Sequence, residues 1–147
     1  MAQKPDIGSL VGLWTYRSLL NDPNIETPFD KLRFGAANIS VDDAPFGVFK
    51  GRIFGTGWSL DLNGSIGYGT PWSVRFQGTG EVEKAHWVYD YTGYVVPPWP
   101  NGIDQRPAIV GSVIRTIPHP SGTPGQMSPA GVVNTFYAVR TDQPWKA

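Results

Sequence analysis

The sequence predicts an all-β protein, an eight-stranded antiparallel up-and-down β-barrel, and three observations carry that expectation. Its 147 residues include 18 Gly and 14 Pro spread along the chain, which leaves no room for a long helix. The apolar residues alternate or cluster in short runs rich in Val, Ile, Thr, Trp, Tyr and Phe, types that suit a pleated, half-buried surface. Most connections between successive runs are short. Eight short strands can stack as a sandwich or close as a barrel. Short hairpin links favour the meander, and closing it removes its exposed edges.

Strands are expected at about residues 10–18, 32–41, 47–54, 57–65, 72–80, 85–96, 108–117 and 131–140. Turn chemistry separates them: Asp42-Asp43-Ala44-Pro45, Gly55-Thr56-Gly57, Asn63-Gly64 through Pro71, and Gly80 through Lys84. The Pro-rich stretches 97–107 and 118–129 are bounded by strong strands and read as loops. No repeat, linker or shift of composition interrupts the chain, so residues 1–147 are expected to form one domain, long enough to bury a core without staples.

Alternation assigns the faces. Trp58, Leu60 and Leu62 oppose Ser59, Asp61 and Asn63; Trp72, Val74 and Phe76 oppose Ser73, Arg75, Gln77 and Thr79. Trp87, Tyr89 and Tyr91 oppose His86, Val88, Asp90 and Thr92, and the aromatic set of all three segments is placed inward. The last two segments differ. Val110, Ser112 and Ile114 alternate with Ile109, Gly111 and Val113, and Val132, Phe136 and Ala138 with Val133, Tyr137 and Val139. Strands apolar on both faces predict a cover on the outside as well, either a terminal segment or, preferably, a second subunit. A homo-oligomer through segments 108–117 and 131–140 is therefore expected.

Gly12-Leu13-Trp14 opens the first segment and Arg140 lies in the last. In a meander the first strand starts at the end where the eighth finishes, which brings Arg140 beside Trp14. This pattern resembles the calycin superfamily of lipocalin-like and avidin-like barrels, in which Gly-x-Trp sits at the closed end of strand one and a basic residue of the final strand packs over the indole. The chain departs from secreted lipocalins in lacking cysteines and a clear C-terminal helix, and from avidin-like proteins in lacking a mappable polar set on strand one, so biotin binding is not carried over. The resemblance implies a container with a floor and a mouth. Loops 19–31 and 118–130 would lie side by side over the mouth, and loop 97–107 with Trp99 would cover the floor.

Inward Tyr16, Trp58, Phe76, Trp87, Tyr89 and Tyr91, with Arg115 and His119 near the rim, make the expected wall of a pocket for a small, largely apolar molecule. The bland alternative is that these aromatics simply fill the barrel. A second functional class is an isomerase- or cyclase-type enzyme using the same cavity, with Arg115 and His119 as catalytic candidates. Parity points His86 outward, and a Pro-flanked loop favours a surface place for His119 as well. Asp61, Arg75 and Asp90 share the outer face and read as a cross-strand ion-pair row rather than a catalytic centre. Gly78-Thr79-Gly80 reads as relief for strand curvature. Ser18 and Ser112 belong to no nucleophile elbow, and there is no phosphate loop or dinucleotide fingerprint, so no cofactor is expected.

With 12 basic and 12 acidic residues and no basic block, charge-driven nucleic-acid or membrane binding is not expected. Two distant histidines make no metal-ligand set. The absence of cysteine removes disulfides and thiol chemistry and fits a cytoplasmic protein. Met1–Asp6 lacks the apolar stretch of a signal peptide, and no run is long enough to span a bilayer.

Overall fold

A computed structural model describes residues 9–146; the amino-terminal stretch read above for a leader lies outside them. The strands are β1 (Gly12–Leu20), β2 (Arg33–Val41), β3 (Val48–Gly55), β4 (Trp58–Gly67), β5 (Ser73–Val82), β6 (Ala85–Val95), β7 (Ala108–Arg115), β8 (His119–Pro120), β9 (Met127–Ser128) and β10 (Val133–Arg140). One helical turn, α1 (Phe29–Leu32), precedes β2. Eight of the strands close into a barrel in the order β1-β10-β7-β6-β5-β4-β3-β2, all neighbours antiparallel. Their bounds lie within two residues of those expected. The short hairpin β8–β9 rises from the loop between β7 and β10 and had no sequence signal beyond its prolines. No helix among the described residues is long and apolar enough to cross a membrane.

Alternation places the inner face as expected. Leu60, Leu62, Val74, Phe76, Tyr89 and Tyr91 are buried, whereas Ser59, Asp61, Arg75 and His86 are exposed. The expected outer ion-pair row does not form: register sets Asp61 opposite Thr79 and Arg75 opposite Thr92, and Gln77 Nε2 donates to Asp90 Oδ1 at 2.8 Å instead. Gly78 does serve packing. A Cβ there would sit 3.2 Å from Leu62 Cδ2 and 3.3 Å from Tyr91 Cε1, so its bareness admits the inward rings as well as curvature.

The floor is a plug built on one indole. Trp14 is fully buried, its Nε1–H donates to the Leu10 carbonyl at 3.0 Å, and the Arg140 guanidinium stands 4.9 Å above its ring. Cross-strand register pairs Trp14 directly with Arg140. Arg140 Nη2 also donates to the Ser9 and Val11 carbonyls, tying the incoming chain across the barrel's end. Above the plug the lower half is filled by rings: Phe49 stacks on Phe76 at 4.2 Å, Phe76 on Tyr91 at 4.7 Å, and Phe136 meets Tyr91 edge-on at 5.7 Å. The 97–107 loop lies at this end, but Trp99 is 73% exposed; the plug, not that loop, seals the floor.

The terminal segment covers a different face from the one considered. Asn38 points outward from β2 yet is buried, because its amide donates to the Trp145 carbonyl at 2.9 Å and accepts from the Trp145 amide at 2.7 Å. Arg33 packs 5.5 Å from the Trp145 ring and completes the clasp. Among the described residues none covers the outer face of β7 and β10, where Val110 and Val133 are exposed and Ile114, Tyr137 and Val139 half-buried.

If the plug holds the fold, Trp14→Ala lowers the unfolding free energy by about 3–5 kcal/mol in urea titration, the range for emptying a large aromatic site. In a double-mutant cycle Arg140→Ala costs less once Trp14 is gone, by about 0.5–2 kcal/mol of coupling.

Candidate functional site

The upper half of the barrel is hollow. A cavity of about 430 Å³ opens there, within the span of small-ligand pockets. Its wall is built where strand ends converge: Tyr16 and Ser18 from β1, Phe34 and Ala37 from β2, Trp58 and Leu60 from β4, Trp87, Tyr89 and Tyr91 from β6, and Val113 and Arg115 from β7. Residues 119–122 and Ser128 of the hairpin segment roof one side. The hollow exists because the strands contribute small or aliphatic side chains at this level, Ala37, Ile53, Leu60 and Val113, where the lower level carries stacked rings.

Seven of the eight expected wall residues meet in this cavity: Tyr16, Trp58, Trp87, Tyr89, Tyr91, Arg115 and His119. Phe76 does not. It lies below, clamped between Phe49 and Tyr91, because parity fixes a face but not a height along the axis. Loop 19–31 contributes nothing to the wall; Ile25 and Phe29 are 94% and 87% exposed. The lid is therefore the 118–130 segment alone. His119 is the larger correction. It is buried rather than on the surface, since the β8–β9 hairpin folds it back over the mouth.

Burial gives His119 defined partners. Its imidazole stacks on the Trp87 indole at 3.7 Å with the planes 7° apart, and Nε2 is 2.7 Å from the Tyr89 hydroxyl. Nδ1 lies 2.9 Å from the Pro120 carbonyl, which can only accept, so the proton of a neutral ring sits on Nδ1. Nε2 then accepts from Tyr89, and the Tyr89 oxygen accepts from Arg115 Nε at 3.1 Å. Arg115 Nη1 donates onward to the Pro129 carbonyl at 3.1 Å, on the far limb of the lid. The result is a directed chain from guanidinium to phenol to imidazole to backbone.

This chain begins with a sequence-level fact. Tyr89 and Arg115 are cross-strand partners in register, so one inward position on β6 faces one on β7. Arg115 is only 7% exposed and lies 5.3 Å from the Phe34 ring centre and 5.8 Å from that of Tyr89. Desolvation by burial pushes the His119 pKa below its ordinary value, and the nearby Arg115 charge adds to the effect. Burial likewise raises the Tyr16 and Tyr91 phenols, so both remain protonated hydrogen-bond donors. Sequence reasoning missed Ser18, Phe34, Ala37, Leu60 and Val113 as wall residues. The strand pairing would have supplied Val113, which lies one inward step before Arg115. Among the described residues no group of three or more His, Cys, Asp or Glu could hold a metal ion.

A depressed folded-state pKa means the unfolded chain binds His119's proton more readily. Stability is thus fully present above the unfolded value of 6.5 and falls as pH drops from there toward the lower folded value. Urea titrations between about pH 7.5 and 5 should show that loss in the parent chain and a flatter profile in His119→Gln; parallel profiles would remove the buried neutral imidazole.

No protein-family model, curated protein or solved structure matches the chain.

Proposed function

We propose that this chain is a calycin-like binding protein of the cytoplasm that holds a small, largely apolar molecule in the upper barrel. The observation that carries the reading is the division of one interior into two halves. The lower half is packed with stacked rings, and the upper half encloses about 430 Å³ behind an aromatic rim and a hairpin roof. A barrel that served only as a scaffold would gain stability by filling that space, because empty apolar volume costs cohesion. The Gly12-x-Trp14 plug with Arg140 over the indole supports the calycin likeness, and a chain without cysteine suits a reducing compartment.

A second reading rests on a specific feature, the Arg115–Tyr89–His119 hydrogen-bond chain on the cavity wall. A proton donor, a proton acceptor and a cation within one pocket are the parts of an isomerase- or cyclase-type site. The two readings separate on Tyr89→Phe. A carrier keeps its affinity within a few-fold, whereas an enzyme keeps ligand but loses turnover.

The carrier reading predicts that the neutral fluorophore N-phenylnaphthylamine brightens on binding, and that Ala37→Phe, which grows a ring into the cavity, weakens its affinity by at least about tenfold with the circular dichroism unchanged. A parent chain that does not brighten the probe overturns the reading. We propose in addition that the exposed apolar strip on β7 and β10 meets a second copy. Equilibrium sedimentation should then show a dimer that Val110→Lys converts to monomer.

A further inference from the structure

The cavity contains a buried positive charge with nothing negative beside it. Arg115 carries five N–H donors, of which Nε serves Tyr89 and one of Nη1 serves Pro129. Among the described residues no carboxylate comes within 4.0 Å of its guanidinium. The one acid on the cavity wall, Glu83, is exposed on the turn between β5 and β6. His119, held neutral by burial, adds no charge of either sign. Burying a charge is costly without a paired counter-charge, and the Phe34 and Tyr89 faces offer only partial compensation.

From this we infer that the natural ligand is an apolar molecule carrying a single carboxylate, which docks against the free edge of Arg115 with its body in the aromatic and aliphatic part of the chamber. This inference rests on the carrier reading above and names its ligand class. The free donors are those on Nη2 and the second on Nη1, a planar fork matched to two carboxylate oxygens. One cation balances one negative charge, whereas a phosphate monoester would bring nearly two against the same lone guanidinium. Apart from the exposed Glu83 at the rim, the wall that would meet the body of the ligand, Trp58, Leu60, Trp87 and Val113, carries no charge, so that body is uncharged.

The test is calorimetry with three probes of equal chain length: octanoate, octan-1-ol and octylammonium. Octanoate should bind about ten- to a hundredfold tighter than octanol, with octylammonium weakest. Arg115→Met should erase the preference, bringing octanoate to the affinity that octanol has for the same variant. The parent series decides even if that variant does not fold. Equal binding of octanoate and octanol, or tighter octylammonium, overturns the carboxylate assignment and leaves the carrier reading standing if N-phenylnaphthylamine still binds. Failure of all three probes while N-phenylnaphthylamine binds also overturns the assignment. Failure of every probe, N-phenylnaphthylamine included, overturns the carrier reading itself.

Discussion

Closure of the sheet along the β1–β10 seam is the constraint on which the remaining structure depends. Seven consecutive cross-strand partners, from Trp14 with Arg140 to Leu20 with Asn134, turn an open meander into a tube and set where each inward side chain lands. The seam also brings the start of β1 and the end of β10 to one rim of the barrel. There the indole of Trp14 and the guanidinium of Arg140 stack, and a long cation covers an aromatic face that would otherwise meet water. Without closure there is neither an inside to fill nor a mouth to guard.

Filling then proceeds unevenly, and that unevenness is what gives the molecule a site. Large rings occupy the end near the plug, where Phe49, Phe76, Tyr91 and Phe136 contact one another. Toward the other end the inward positions of β2, β4 and β7 carry Ala37, Leu60 and Val113, which are too short to meet across the barrel. Deeper in the wall stand the Tyr16 and Tyr91 phenols and the Ser18 hydroxyl, while the linked polar groups gather at the rim of that space. The carbonyls of Pro120 and Pro129 accept from His119 and Arg115 there, because the lid is a loop whose backbone groups have few partners of their own.

Much of this was legible in the residues. Period-two alternation fixed which of Ser59 and Leu60, or Arg75 and Phe76, faces inward, since a strand has only two faces and water strongly favours one assignment. Glycine, tryptophan and arginine at the chain's ends located the floor. Height along the axis was less visible: Phe76 and Tyr89 share a face, but only register with neighbouring strands shows that one is packing and the other is wall. The burial of His119 was hidden for a different reason. A two-residue strand pair has no periodicity, and a histidine between prolines reads as exposed loop until the hairpin that folds it inward is seen. The 19–31 loop erred the other way, because length alone says nothing about which way a loop leans.

The lid's return limb has one further property. Arg115 holds it with side chain and backbone alike: its guanidinium reaches the Pro129 carbonyl, its amide donates to Val132, and its own carbonyl accepts from Gly131. The charged group that looks into the chamber is thus also the hinge pin of the roof. One residue therefore both faces the chamber and anchors its cover, so the two are not independent parts.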